Sequence, residues 1–229
     1  MSILYAQDAG VATITLNRPD KKNAITAAMY QAMADHLSTA ASDAAVRVIV
    51  ITGLPGVFTA GNDVADFLQN PPQGSDSPVA QFMTQLRDAE KPVIASVTGM
   101  AIGIGTTLLL HCDLVYAAEH ARFAMPFTQL GLCPEFASSL LIPRLAGYQH
   151  AADKLLFGEA FSAAEALQLG LVNKLLQAES LHQHVATQAA KLVALPAASV
   201  RATKRLMKAE LAAPIKAAME AEMQDFSRM

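Results

Sequence analysis

The stretch KPVIASVTGMAIGIGTTLLLHCD, residues 91–113, decides how the rest of the chain is read. It carries no charge between Lys91 and Asp113 and reads as a strand, a glycine turn and a buried helix. Val93 to Val97 is a short apolar, partly β-branched run of the kind covered on both faces, while Gly99, Gly103 and Gly105 admit close approaches that a Cβ forbids. Such a bend at the mouth of a helix aims free amide N–H groups at an anion. A membrane span needs roughly 20 apolar residues, and the Gly, Thr and Ser interruptions speak against one here. A phosphate loop of the G-x-x-x-x-G-K type requires Lys where Thr106 stands. A plain buried helix after a tight turn is the competing structural account.

With 229 residues, 52% of them hydrophobic, the chain can bury a large core in one domain or in one domain with a helical appendage. Seventeen basic residues against twenty acidic give a net charge of -3, which offers no general pull toward nucleic acid or anionic membrane. Cys112 and Cys133 lack metal-ligand spacing and are expected as free core thiols in a reducing compartment. Neither end reads as a secretion signal or a Ser-Lys-Leu address, so the expected location is cytoplasmic.

In chain order, Ile3 to Gln7 and Val11 to Asn17 form a hairpin about Asp8-Ala9-Gly10. Thr26 caps a helix to about Ala41, with Met29, Met33 and Leu37 inward. Val46 to Thr52 is a buried strand. A second turn, Val57 to Asp63, enters a short helix through Leu68 that Asp63 caps, residues 70–78 form a mobile surface loop, and Pro78 to Glu90 is amphipathic. Strands follow at Asp113 to Ala118 and Arg122 to Ala124, an alternation that implies parallel crossover units. From about Glu135 onward the pattern is helical apart from an extended piece at Leu171 to Leu176. Ser162 to Glu165 is a capping box. Glu179 to Met229 reads as helices broken near Pro196 and Pro214. His182 and His184, two apart on a helix, point in different directions and are read as surface residues, and His111 stands isolated.

Taken together, Leu16-Asn17-Arg18-Pro19 with Asn23-Ala24, the Ala60-Gly61-Asn62-Asp63 turn, the glycine turn leading to His111-Cys112-Asp113, and Leu167 to Val172 resemble, in order, the crotonase or enoyl-CoA hydratase/isomerase superfamily. The resemblance implies an α/β fold: a crotonase-type ββα spiral core over residues 1–176 and a C-terminal helical trimerisation region over 177–229, in a homotrimer or dimer of trimers. It implies an acyl-CoA thioester whose oxygen is held by the backbone N–H groups of Asn62 and Ile104. Such preorganised donors are worth roughly 3 kcal/mol each by mutation.

The two glutamates of the superfamily's hydratases correspond to Thr107 and Phe127, neither of them a carboxylate. Glu135, after Cys133-Pro134, is similar in place to the single base of the peroxisomal-type Δ3,Δ2-enoyl-CoA isomerases. Burial by Leu132, Phe136 and Phe127 is expected to raise its pKa. Its structural alternative is a glutamate at a helix start, favoured by the macrodipole. The resemblance further implies coenzyme contacts at Lys21, Lys22, Ala24, Ala60 and Gly103, with Asp20 where a basic residue is usual, and an acyl tail along Phe67, Leu68, Phe82 and Met83. Coenzyme A is then part of the substrate, and no cofactor, metal, nucleic acid or stable membrane insertion is expected. The rival readings are another acyl-CoA reaction on the same scaffold, such as weak hydration, dienoyl isomerisation or thioester hydrolysis, and a non-catalytic acyl-CoA-binding scaffold.

Overall fold

The computed structural model describes residues 2–70, 74 and 76–229; positions 71–73 and 75 of the expected mobile loop lie outside that set. Strands β1 (Ile3–Asp8) and β2 (Val11–Leu16) form the expected hairpin, and α1 (Ala27–Ser42) starts at Thr26, whose side chain accepts from the Met29 N–H. Next come β3 (Val48–Thr52), β4 (Gly56–Thr59), α2 (Val64–Gln69) and α3 (Pro78–Arg87), the last capped by Ser77. The central stretch supplies β5 (Val93–Val97), β6 (Gly99–Ile102) and α4 (Ile104–Thr107), which tightens into a 3-10 turn over Leu108–His111. Then follow β7 (Leu114–Ala118), β8 (Arg122–Ala124), α5 (Ser138–Ala146), α6 (Tyr148–Phe157), β9 (Phe161–Ser162), α7 (Ala163–Gln168) and β10 (Lys174–Leu176). Helices α8 (Ala178–Ala194), α9 (Ala197–Ala209) and α10 (Ala212–Phe226) complete the described chain.

Among the described residues the strands form two sheets. One has the order β1-β2-β3-β5-β7-β10, parallel except for the β1–β2 hairpin; the other has the order β4-β6-β8-β9, parallel except for β8–β9. Each turn of the spiral lays a strand in the first sheet, bends through a few residues into a strand of the second, and leaves by a helix. Between β5 and β6 the bend is the single residue Thr98. The continuous apolar run of β3 follows from burial on both faces: Val48 and Val50 pack with Ile94, Leu181 and Val185 beneath α8, while Ile49 and Ile51 turn to the main core.

Two expectations are corrected. Val57 to Thr59 and Gly99 to Ile102, read as turns, are strands β4 and β6, because their partners are each other and not a neighbour in sequence. The extended piece at Leu171 to Leu176 shortens to β10, after turns in which Leu171 and Val172 donate back to Ala166. The break expected near Pro214 falls at residues 210–211, between α9 and α10, and Pro214 is the third residue of α10, where the missing N–H has no intrahelical acceptor to lose. The capping box at Ser162 and Glu165 and the break at Pro196 stand as read. No helix among the described residues is long and apolar enough to cross a membrane.

Candidate active site

Two turns at the ends of β4 and β6 form the floor of the site. Ile25 pairs with Asn62 in a parallel bridge: the Ile25 N–H donates to the Gly61 carbonyl at 2.8 Å, and its own carbonyl accepts the Asp63 N–H at 2.9 Å. In that pattern both bonds come from the neighbours of Asn62, which leaves the Asn62 N–H directed away from the pairing. Ile104 is the first residue of α4, after Gly103 at φ 56, and its N–H belongs to the end of the helix that has no acceptor. Neither N–H has an acceptor among the described residues. The turns touch: a Cβ on Gly61 would stand 2.9 Å from the Ile102 carbonyl oxygen, and one on Gly105 would stand 2.4 Å from Thr59 Cγ2. Thr106, where a phosphate loop would place Lys, instead donates its hydroxyl to the Ala101 carbonyl at 2.6 Å.

The loop before Ile25 is fastened to the same floor. Asn23 is fully buried at φ 57; its side-chain amide donates to the Phe58 carbonyl, and its own carbonyl accepts the Thr59 hydroxyl at 2.6 Å. Ala60 donates its N–H to the Lys22 carbonyl, so Ala60, Lys22 and Ala24 lie together, with the Lys21 and Lys22 side chains exposed. Asp63 caps α2 as expected and pairs with Arg18 at 2.7 Å, which lowers its pKa.

Glu135 comes from an irregular loop, and here the helical reading from Glu135 is corrected, since α5 begins at Ser138. Phe136 and Ala137 both take left-handed backbone angles, φ 58 and 57, at about 1–3 kcal/mol of strain each. Two buried groups hold them there. His111 Nε2 bonds the Phe136 carbonyl at 2.8 Å while its ring stacks on Phe136 at 3.7 Å. Burial pushes the His111 pKa down to about 3, so the imidazole is neutral, and a carbonyl partner requires the proton on Nε2. Glu222, on α10, accepts the N–H groups of Ala137 at 2.6 Å and Ser139 at 3.0 Å and the Ser139 hydroxyl. The carboxylate at the N-terminus of α5 is therefore that of Glu222, not of Glu135.

Glu135 lines a cavity, and its Oε1 is out of contact with solvent and has no hydrogen-bond partner. Burial first, and the Glu222 charge second, push its pKa up to about 8. Tyr30, buried on α1, donates its hydroxyl to Asn62 Oδ1, and its pKa is raised by burial and then by the Glu135 charge. The acid thus lies within electrostatic reach of a group that touches the first turn.

The cavity holds about 500 Å³ and is lined by Phe67, Leu68, Met83 and Leu132 together with Met219, Met223 and Phe226 of α10, the Phe67 and Phe226 rings meeting edge to face at 5.9 Å. Phe82 does not reach it; it is fully buried behind the wall, between the rings of Tyr30 and Phe136. Thr107 and Phe127 are both buried and supply no carboxylate. Sequence reasoning missed Tyr30 and Glu222 and set His111 aside. Tyr30 sits at an inward position of a plain amphipathic helix. Nothing local distinguishes Glu222 from its acidic neighbours.

Residues 6–229 match the family described as Enoyl-CoA hydratase/isomerase. Enoyl-CoA delta isomerase 2 of Rattus norvegicus is 36% identical over 212 residues, 90% of this chain and 54% of that protein, so the chain spans about half the length of this relative. The 2,3-dehydroadipyl-CoA hydratase of Escherichia coli K12 is 30% identical over 98% of this chain and 89% of its own length. The solved structure of OdaA from Pseudomonas aeruginosa superposes with a TM-score of 0.97 at 46% identity, covering 99% of this chain and 92% of that one.

Proposed function

The chain belongs to the enoyl-CoA hydratase/isomerase family, and from that premise we propose that it moves a β,γ double bond of an acyl-CoA thioester into α,β conjugation. The observation that carries the reading is Glu135: its buried Oε1 has no partner on the wall of an apolar cavity, while the two hydratase positions hold Thr107 and Phe127. Ionised Glu135 takes a proton from the α-carbon. Electrons of that C–H bond pass into the dienolate, whose oxygen lies on the N–H groups of Asn62 and Ile104. The protonated Glu135 then returns the proton at the γ-carbon, so one carboxylate serves as base and acid in turn. Apolar walls exclude water that would quench the dienolate. In this reading the coenzyme arm rests on the loop of Lys21, Lys22, Ala24 and Ala60, with Gly103 beside the thioester, and the tail enters between Phe67, Leu68 and α10. The same reading includes a cytoplasmic homotrimer or dimer of trimers.

The test is incubation of purified protein with 3-enoyl-CoA. Conjugated 2-enoyl absorbance should appear, and Glu135→Gln should slow its appearance at least ~100-fold with acyl-CoA binding near wild type. Undiminished turnover in that variant refutes the assignment. Consumption of supplied 2-enoyl-CoA faster than its formation would make the protein a hydratase instead.

A further inference from the structure

Glu222 belongs to no motif, yet it ties α10 to both sides of Glu135. Its carboxylate receives the Ala137 and Ser139 donors after Glu135, and its backbone carbonyl accepts the Cys133 thiol, at 3.4 Å, before it. It is only 7% exposed. Each carboxylate oxygen accepts a backbone N–H, Oε2 from Ala137 and Oε1 from Ser139, while the Ser139 hydroxyl can donate or accept, so the two fixed donors favour the anion. Glu135 lines the same cavity, and its buried Oε1 has no donor at all. No cation pairs with either acid among the described residues. The groups that face Glu135 are Glu222 on α10, Tyr30 on α1 and Cys133 on its own loop, with Asp225 acting on Cys133.

We propose that Glu222 is the positioning residue of this site: from α10 it fixes the loop that carries Glu135 and sets a second, buried carboxyl group on the same cavity. The consequence for catalysis rests on Glu135 being the acid–base group of the proposed isomerase. Burial pushes both acids up, and Glu222 stays above its ordinary value even though the Ser139 and Ala137 donors offset part of the rise; Glu135, without such donors and facing the Glu222 charge, is pushed up to about 8 and is the one that holds a proton. A stronger base takes the weakly acidic α-proton more readily and keeps it long enough to return it at the γ-carbon.

The experiment is a carboxyl ¹³C NMR titration of the full chain labelled at glutamate, with the Glu135 signal identified by its loss in Glu135→Gln. In the wild type Glu222 should titrate below Glu135; the reverse order overturns the proposal and needs no folded variant of Glu222. In Glu222→Gln the Glu135 midpoint should fall by at least ~1 pH unit, about tenfold in ionised fraction at a fixed pH below it. The acid limb of kcat/KM for 3-enoyl-CoA should move the same way, with kcat reduced more than KM is raised. Ser139→Ala, which removes one tie and leaves the charge, should lower kcat without moving the midpoint as far. A folded Glu222→Gln whose Glu135 signal titrates as in the wild type makes Glu222 a purely structural residue and sinks the proposal. Since the titration is read without turnover, a protein that isomerises nothing still answers it.

Discussion

Glu135 has the clearest consequences at the scale of single residues. As the proposed base, with its pKa pushed up to about 8, it must lose its proton to act, so kcat/KM should rise with pH through that region. A profile flat from pH 6 to 9 would show that another group takes the proton. The same shift acts on stability with a definite sign: between the ordinary value of 4.5 and about 8 the folded chain binds more protons at Glu135 than the unfolded one, so this residue weakens the fold as pH rises across that interval. Glu135→Gln should therefore be more stable than wild type at pH 8, by on the order of 4 kcal/mol, with the gain vanishing near pH 4.5; paired thermal melts at the two pH values check it. His111, neutral at every such pH, does different work. His111→Ala removes both the stacking surface and the donor that hold Phe136 in its left-handed angle, and should lower unfolding free energy by about 3 kcal/mol in denaturant melts.

At the scale of elements, the floor depends on how closely β4 and β6 bring their turns together. Gly105→Ala drives a Cβ against Thr59 Cγ2, the side group of a residue whose hydroxyl also anchors Asn23. The substitution should cost about 1–3 kcal/mol by overpacking and, by displacing the Ile104 N–H, reduce isomerisation on the order of 100-fold. Replacing Thr59 with Ser keeps the hydroxyl and removes the obstructing methyl, so the pair Gly105→Ala with Thr59→Ser should recover most of the rate; no recovery would mean the damage lies elsewhere. Met223 of α10 lines the same cavity as Phe67, Leu68 and Met83. Met223→Trp should lower kcat/KM for long-chain acyl-CoA at least ~10-fold while leaving short-chain turnover within about twofold, a discrimination of the size expected when a pocket is shortened by a methylene or more.

For the whole molecule, the tie between the C-terminal helices and the spiral is partly ionic. Lys204 of α9 is buried, donates to the Lys91 carbonyl, and meets Asp113 at 2.6 Å, and Asp113 in turn accepts the Val93 N–H that starts β5. Lys204→Met leaves Asp113 without its cation and should lower stability by about 3–5 kcal/mol in chemical melts. What could be read beforehand follows from the same geography. The strands Val48–Thr52 and Val93–Val97 declared themselves because both faces are buried. The stretches Gly56–Thr59 and Gly99–Ile102 did not, since each opens on Gly and takes its register from a partner some forty residues away. Glu135 was legible through its resemblance to a known family, and its spacing alone equally suited a helix start. Glu222 had no signal, because what distinguishes it is a contact across 85 positions to Ala137. That distance has a consequence for synthesis. A ribosome adding 5–20 residues per second delivers Glu135 roughly 4–17 s before the segment that walls it in, so a nascent chain already displaying it holds an ordinary, hydrated acid, and the chemistry proposed for it must wait for the downstream helix to emerge and dock.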